Sequence, residues 1–243
     1  MAKERVIVLA SGGLNSAVIT SLAACDAELA MLHVRWGHRA DEREFEYFGQ
    51  VADRYDAKHR LVVELPHFTT IGGNARISRK RQIEDVLALT DGESNCYAPG
   101  LIGTLVNTAV TWAVTIQAQR IYLGVSENLG PPGPRTASVF PDYSRQNLQL
   151  LQHMLLTSLP NRKISLETPL LELKRSDIVR LGHRLKAPFE STWSCMSSGA
   201  KPCGGCLGCA TRNRGFLDAG VPDPLLLPPP PSPGRPKAEP IKA

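Results

Sequence analysis

The sequence predicts an α/β protein built on a parallel sheet, with a small metal-binding segment towards its C-terminal end. Strand-like and helix-like segments alternate along the first two thirds of the 243 residues, as expected for a parallel sheet covered by helices on both faces. A glycine- and serine-rich turn follows the first strand, and four cysteines lie within residues 195–209. We expect an α/β domain at 1–190, a metal-binding segment at 191–220 and a proline-rich tail at 221–243.

Five segments are predicted as strands because they are short and apolar, as strands buried on both faces should be. They are residues 6–10, 29–34, 60–65, 120–125 and 164–167. Ligands bind beyond the carboxyl ends of the strands in such sheets. The loops after Ala10, Val34 and Gly124 should therefore line one pocket.

Helices are predicted between these strands. In residues 42–56 the apolar side chains recur at three- and four-residue intervals, which is typical of an amphipathic helix. Residues 101–119 are apolar and free of proline, and predict a long helix against the sheet. The other predicted helices are 16–24, 143–158 and, as the final helix, 174–185.

The bulk composition is that of an ordinary globular protein, with 42% hydrophobic and 21% charged residues. No run approaches the roughly 18 apolar residues that a membrane span needs. The first strand follows the start too closely for an export signal, so we expect a cytoplasmic protein without membrane contact. A net charge of +5 suits phosphate-bearing ligands, but it does not by itself predict nucleic-acid binding.

Nine of the nineteen prolines lie between Pro222 and Pro240. Proline fixes φ and lacks an N–H group, which excludes a helix or a central strand there. A disordered or polyproline II tail is expected, either inert or recruiting a proline-binding partner.

The turn after the first strand reads Leu-Ala-Ser-Gly-Gly-Leu-Asn-Ser at 9–16. Gly12 and Gly13 can point their N–H groups inward without a Cβ in the way, and Ser11 and Ser16 add hydroxyl donors. The following helix start adds oriented N–H groups and partial positive charge. This composition favours binding of phosphate or pyrophosphate, although a plain strand-to-helix turn remains an alternative. It is not a Walker loop, because the lysine is absent.

The four clustered cysteines have the spacing C-x7-C-x2-C-x2-C, at Cys195, Cys203, Cys206 and Cys209. Four thiolates saturate a tetrahedral Zn²⁺ and leave no position for water, so a structural zinc site is expected. An iron–sulfur cluster, a redox dithiol and a nucleic-acid-binding zinc ribbon are the alternatives. Cys25 is isolated, as is Cys96, and both are interpreted as small buried apolar residues.

The turn Ser-Gly-Gly-Leu-Asn-Ser resembles the SGGxDS loop of the N-type ATP pyrophosphatases, also called PP-loop enzymes. Together with the cysteine cluster it resembles the 7-cyano-7-deazaguanine synthases of queuosine biosynthesis, over about residues 6–216. Five further segments are similar to motifs of that family: Trp36-Gly-His-Arg39, Tyr97-Ala-Pro-Gly100, Gly124-Val-Ser-Glu127, Phe140-Pro-Asp142 and Thr168-Pro-Leu-Leu-Glu-Leu-Lys174.

The resemblance implies an adenine-nucleotide α-hydrolase-like fold, structural Zn²⁺, ATP with Mg²⁺, and a homodimer as a candidate assembly. It also implies a reaction, in which 7-carboxy-7-deazaguanine and ammonia become 7-cyano-7-deazaguanine through an acyl adenylate. The ATP-binding residues would be Leu9, Ala10, Ser11, Gly12, Gly13, Leu14, Asn15, Ser16, Ala17 and Val18. The substrate-binding residues would be Arg39, Tyr97, Pro99 and Gly100.

Three catalytic residues are implied by the same resemblance. Lys174 would counter the phosphate charge, while Glu127 and Asp142 would face the purine edge or Mg²⁺. For each of these three, a surface or structural ion pair is the alternative interpretation.

The chain also departs from the family pattern. Asn15 stands where the family has Asp and lacks the negative charge that helps to hold Mg²⁺. Leu101 and Ile102 replace an Arg-Asn pair, Ala40 replaces a His, and residues 130–134 rebuild a loop. The departures leave two alternatives to the family reaction: an adenylating enzyme with a different acceptor or substrate, and a non-catalytic nucleotide-binding protein.

Overall fold

The computed structural model describes residues 3–89, 93–128, 140–159 and 161–226 of the chain. Its core is one five-stranded sheet in the order β3-β2-β1-β4-β5, with every neighbouring pair parallel. The strands are β1 (Arg5–Leu9), β2 (Glu28–Arg35), β3 (His59–Glu64), β4 (Arg120–Leu123) and β5 (Ser165–Glu167). The predicted parallel sheet is confirmed, with each strand within two residues of its expected limits.

Seven α-helices are present in the described residues: α1 (Leu14–Ala23), α2 (Asp41–Arg54), α3 (His67–Ile71), α4 (Leu101–Ile116), α5 (Arg145–Ser158), α6 (Arg175–Arg184) and α7 (Leu207–Ala219). Three single turns of 3-10 helix lie at Val86–Ala88, Pro141–Tyr143 and Phe189–Ser191. The five predicted helices are confirmed as α1, α2, α4, α5 and α6.

The sheet is buried between two helical layers. Val6 and Val8 of β1 point to one face, where α1, α2, α6 and α7 pack. Ile7 and Leu9 point to the opposite face, against α4 and α5. This alternation explains why β1 is apolar at every position, because neither face of the strand meets water.

The prediction that 174–185 is the final helix is wrong, because α7 follows it. Gly208 and Gly215 lower the helical propensity of this segment and hid the helix in the sequence. Both glycines are required by close packing. A Cβ on Gly208 would lie 1.9 Å from the Ser194 carbonyl oxygen, and a Cβ on Gly215 would lie 2.2 Å from Cγ of Arg175.

The domain limits at 190 and 220 stay predictions, but the chain is still packed beyond 220. Arg212 of α7 forms a buried ion pair with Asp223, with Nε donating to Oδ2 over 2.6 Å and Nη2 to Oδ1 over 2.7 Å. Of the tail expected at 221–243, residues 227–243 lie outside the described residues. In the part of the chain that is described, no helix combines the length and apolar character needed to cross a membrane.

Candidate functional site

A cavity of about 240 Å³ opens at the carboxyl edge of the sheet, beside β1 and between its neighbours β2 and β4. The ends of β2 and β4 line it through Leu32, Val34, Leu123 and Gly124. The strand order reverses beside β1, because β2 and β3 lie on one side of it and β4 and β5 on the other. Such a reversal is the usual place for a ligand in an open parallel sheet. The loops predicted to share one pocket do meet there.

Seven of the ten residues predicted to bind ATP line this cavity. They are Leu9, Ala10, Ser11, Gly13, Leu14, Asn15 and Ser16. Gly12 instead faces the backbone of α2, while Ala17 and Val18 are buried in the core on the α1 side of the sheet. We call residues 9–16 the phosphate loop from here on.

Hydrogen bonds of its own serine hydroxyl groups and one from the neighbouring Trp193 hold the phosphate loop in place. Ser11 Oγ accepts from the Gly13 N–H at 3.2 Å, and Ser16 Oγ donates to the Gly13 carbonyl oxygen at 2.9 Å. The Trp193 N–H donates to the Gly12 carbonyl oxygen at 2.9 Å. Helix α1 starts after Gly13 without a side-chain cap, so its first N–H groups can face a bound anion.

Gly12 is the tightest point of the loop. Its φ is +77°, and an added Cβ would lie 2.1 Å from the Glu44 carbonyl oxygen. We expect Gly12→Ala to weaken ATP binding by about tenfold or more, because both the clash and the positive φ must be relieved by moving the loop. Isothermal calorimetry on the purified variant measures this.

Gly49→Ala, in the same helix as Glu44, is the matched control. A Cβ at Gly49 meets nothing within 4 Å, and alanine favours a helix interior by roughly 1 kcal/mol over glycine. This variant should bind ATP normally. Equal affinity of the Gly12 variant and the control would show that the backbone at Gly12 has no bearing on the nucleotide.

Asn15 is held on both sides of its amide. Nδ2 donates to the Gly124 carbonyl oxygen at 2.8 Å, and Oδ1 accepts from Nη1 of Arg175. Gly124 is close enough that a Cβ there would lie 3.0 Å from the Asn15 carbonyl carbon. Asn15 therefore joins the phosphate loop to the end of β4 and to the start of α6.

Arg175, and not its neighbour Lys174, reaches the cavity. Lys174 is the exposed N-cap residue of α6. Burial lowers the pKa of Arg175 to about 10, so the guanidinium stays charged at neutral pH. Among the described residues it has no carboxylate partner, and its Nε is buried without a hydrogen bond. The sequence motif had pointed to the residue one position earlier.

Asp142, Tyr97 and Gly100 lie together, but away from the cavity lining. The Tyr97 hydroxyl donates to Asp142 Oδ1, and the Gly100 N–H donates to Asp142 Oδ2 at 3.0 Å. Gly100 is the N-cap of α4 with a φ of +77°. Asp142 thus caps the start of α4, a structural role that differs from the ion pair considered as its alternative. Its proposed catalytic role stays a prediction. Pro99 beside them is exposed.

Glu127 and Arg39 also make structural contacts. Glu127 Oε2 accepts from the Arg145 N–H at 3.3 Å, at the start of α5. Arg39 Nη2 donates to the Ser78 carbonyl oxygen at 2.6 Å and to that of Arg81. Neither side chain lines the cavity. Their proposed catalytic and substrate-binding roles stay predictions.

Three of the residues that depart from the family pattern line the cavity: Asn15, Leu101 and Ile102. Ala40 does not, because it is buried beside Trp193 and the cysteines. The rebuilt loop at 130–134 lies outside the described residues. The substitutions at 101 and 102 make one wall of the cavity apolar.

Among the lining residues that were not singled out from the sequence as site residues are Glu44, Arg76, Tyr143 and Trp193. Arg76 and Glu44 form an ion pair, with Nη2 and Oε1 3.3 Å apart. Tyr143 is half-buried, and desolvation raises the pKa of its hydroxyl. They come from loops and helices far apart in the chain, so no local motif marked them.

The four clustered cysteines can hold a metal ion. Their sulfur atoms all lie within 4.8 Å of one another, and Cys203 Sγ is 4.0 Å from Cys209 Sγ. Zn–S bonds of about 2.3 Å place tetrahedral thiolates about 3.8 Å apart. Backbone N–H groups of Ser197 and Cys203 donate to Cys195 Sγ at 3.4 and 3.3 Å, which favours the thiolate form that a metal needs.

The cysteine centre is connected to the phosphate loop through the segment that precedes Cys195. Trp193, whose N–H binds Gly12, is two residues before the buried Cys195. Arg212 of α7 donates to Thr192 Oγ1 at 2.8 Å and to the Phe189 carbonyl oxygen at 3.1 Å. The segment 189–195 is therefore fixed between the cysteine centre, α7 and the phosphate loop.

Comparison with known proteins agrees with this arrangement. The family model for the queuosine biosynthesis protein QueC matches residues 5–220. The 7-cyano-7-deazaguanine synthase of Chlorobium phaeobacteroides (strain DSM 266) is 36% identical over 224 residues, covering 91% of this chain and 96% of that protein. The synthase of Chlorobaculum tepidum is 35% identical over 223 residues, covering 91% and 95%.

Among solved structures, the NMN synthetase of Francisella tularensis is similar with a TM-score of 0.46 and 15% identity, over 91% of this chain and 79% of that one. The family match and the two synthases carry the assignment. The chain belongs to the family of the queuosine biosynthesis protein QueC.

Proposed function

We propose that this protein uses ATP to convert 7-carboxy-7-deazaguanine and ammonia to 7-cyano-7-deazaguanine. A substrate carboxylate oxygen attacks the α-phosphorus of ATP, and pyrophosphate leaves. Ammonia then attacks the acyl carbon of the adenylate, AMP leaves, and the nitrogen loses a proton to give the amide. The amide oxygen then attacks the α-phosphorus of a second ATP, pyrophosphate leaves, and loss of AMP and of both nitrogen protons gives the nitrile.

The charge of the cavity is the observation that carries this proposal. Of its charged lining residues, Arg76 is paired with Glu44 and Arg212 with Asp223, which leaves Arg175 as a cation beside the phosphate loop. Free helical N–H groups and a guanidinium that line the same cavity favour a phosphate chain. The same donors would stabilise the charge that develops on pyrophosphate as it leaves.

The rest of the lining suits an adenylate intermediate, which must be kept from water. Leu101, Ile102 and Leu105 form an apolar wall, and Trp36 and Phe140 add aromatic surface. The indole Nε1 of Trp193 is buried without a partner among the described residues, and is a further donor for an anion. Family membership supports an ATP-using synthetase of the queuosine pathway acting on small molecules.

For the cysteine centre we infer Zn²⁺. Four sulfur ligands leave no coordination position for water, which suits a structural ion. Metal analysis of the purified protein distinguishes zinc from an iron–sulfur cluster, which also takes four thiolates. One zinc per chain is the expected result.

One incubation tests the proposed reaction. Purified protein is mixed with ATP, Mg²⁺, 7-carboxy-7-deazaguanine and ammonium, and AMP, pyrophosphate and nitrile are measured by mass spectrometry. Formation of all three supports the proposal. AMP without nitrile indicates a different acceptor, and the absence of AMP with ATP still bound in calorimetry indicates a non-catalytic protein.

Asn15→Asp separates the effects of shape and charge in the phosphate loop. The new carboxylate would neutralise Arg175 and place an oxygen where Nδ2 now lies, 2.8 Å from the Gly124 carbonyl oxygen. We expect ATP affinity without Mg²⁺ to fall about tenfold, by the loss of one favourable charge interaction. Calorimetry with and without Mg²⁺ measures this.

Asn107→Asp, on the exposed side of α4, is the control with the same change in net charge. Its ATP affinity should stay as in the unaltered protein. An Asn15 variant that binds ATP more tightly in the absence of Mg²⁺ would contradict the inferred role of Arg175.

A further inference from the structure

Arg76 is brought to the cavity by a loop that is fixed on both sides. Its N–H donates to Asn74 Oδ1 at 2.9 Å, and its carbonyl oxygen accepts from the Arg39 N–H at 2.8 Å. The preceding Ala75 is fully buried, with its N–H on the Asn95 carbonyl oxygen at 2.8 Å. The position of the Arg76 backbone is therefore determined by the fold.

The guanidinium of Arg76 is equally well placed. Its Cζ lies 4.6 Å from the ring centroid of Trp36. Its Nη2 lies 3.3 Å from Glu44 Oε1 and 3.1 Å from His38 Nδ1. Its Nε is buried and has no hydrogen-bond partner among the described residues. Nη1 takes part in none of the hydrogen bonds of this side chain among the described residues, so it remains as a donor at the cavity.

His38 holds this arrangement in one protonation state. Both Arg76 and the Ala40 N–H face its Nδ1, which must therefore accept, and its Nε2 faces Glu44 Oε2 at 3.4 Å. Burial and the charge of Arg76 lower the pKa of His38. Burial opposes the charged form of Glu44, but His38 and Arg76 lower its pKa. A neutral histidine thus supports an ionised pair.

Arg76 lies in the same part of the cavity as the phosphate loop. The Glu44 backbone packs closely against Gly12, since a Cβ added at Gly12 would lie 2.1 Å from the Glu44 carbonyl oxygen. Tyr143 lines the cavity together with both arginines, and the charges of Arg76 and Arg175 both lower the pKa that burial raises. One cavity therefore contains two separately held arginines, with an apolar wall at Leu101 and Ile102.

We propose that Arg76 is a specificity-determining residue that binds the carboxylate of a planar heteroaromatic acid, while Arg175 binds the phosphates of ATP. The inference rests on the proposed function and assigns the acid to one end of the cavity. Trp36, with Leu101 and Ile102, contacts the flat ring. Glu44 and His38 are positioning residues that keep the guanidinium in place before the acid arrives.

Binding measurements with Arg76→Gln test this assignment. The probes are 7-carboxy-7-deazaguanine, 7-deazaguanine without the carboxylate, and ATP, each titrated separately by calorimetry. Loss of one charge-assisted interaction should lower affinity for the acid about 30-fold. Affinity for 7-deazaguanine and for ATP should stay within about twofold. Arg79→Gln, at an exposed site of the same loop, should bind all three normally.

The outcomes separate this inference from the proposed function. Equal loss of affinity for 7-carboxy-7-deazaguanine and 7-deazaguanine would show that Arg76 only maintains the fold, and unchanged affinity would show that it does not touch the carboxylate. Either result overturns the assignment while the unaltered protein still makes the nitrile. If the unaltered protein binds no acid, both the inference and the proposed function fail.

Discussion

Cys206→Ser is expected to remove the metal and to unfold the C-terminal quarter of the chain. Cys206 is the N-cap of α7, and its sulfur is buried among the other three. A structural zinc site contributes on the order of 10 kcal/mol of binding free energy to folding, which is comparable to the whole stability of a domain, about 5–15 kcal/mol. We expect zinc content to fall from one per chain to near zero and thermal unfolding to occur at a much lower temperature.

Cys25→Ser is the control, since Cys25 is exposed and lies outside the cluster. It should keep both its zinc and its melting temperature. Metal analysis and thermal unfolding, with and without a chelator, measure the two variants together. A Cys206 variant that melts with the control would mean that the sulfur cluster does not hold the fold, and an iron chromophore would exclude zinc.

Arg175→Met is expected to weaken ATP binding about 100-fold. Arg175 is the cation of the cavity lining that has no carboxylate partner among the described residues. Hydrogen bonds to charged groups contribute about 1.5–3 kcal/mol each, and a phosphate chain can accept more than one. Methionine retains the apolar stem that packs over Gly215. Calorimetry with ATP, and with pyrophosphate alone, measures the effect.

Lys174→Met is the matched control at the adjacent position. Lys174 is exposed and does not line the cavity, so its affinity for ATP should change less than about twofold, as for a screened surface charge. The reverse result, with loss at 174 and none at 175, would restore the assignment implied by the family motif. Equal losses would indicate a general effect of charge at this end of the sheet.

The fold was predictable because its signals are local. Each strand is a short apolar run, and the spacing of Phe48, Val51 and Ala52 identifies the buried side of α2. The phosphate loop and the cysteine cluster are also continuous segments, so their composition could be interpreted directly. Family membership confirms the expected fold class.

The predicted functional side chains stay predictions, because the place of a side chain in a site depends on tertiary packing that the sequence does not show. Asp142 has the residue type expected of a site, but it caps α4. Which of Lys174 and Arg175 reaches the cavity depends on where α6 begins, because Lys174 is its N-cap and Arg175 its first residue. Arg76 is one arginine among several in an irregular loop, and its contacts with Trp36 and Glu44 span 40 and 32 positions of the sequence. Contacts between residues this far apart in the chain cannot be recognised from a short stretch of sequence.

Helix α7 failed to show in the sequence for a reason that bears on its role. A helix with Gly208 and Gly215 has low intrinsic propensity, and it forms because other segments pack into the space the glycines leave. Cys206 and Cys209 at its first turn then connect this helix to the metal centre. Local propensity is overridden by packing and ligation that only the folded chain provides.

Helix α7 also makes two binding events thermodynamically dependent on each other. At one end it carries two sulfur ligands, and at Gly215 it supports the stem of Arg175. Anything that orders this helix for one ligand lowers the ordering cost for the other, and such linkage is reciprocal. Nucleotide should therefore raise the affinity for the ion, measured by equilibrium competition with a chelator, by the same factor by which the ion raises the affinity for nucleotide.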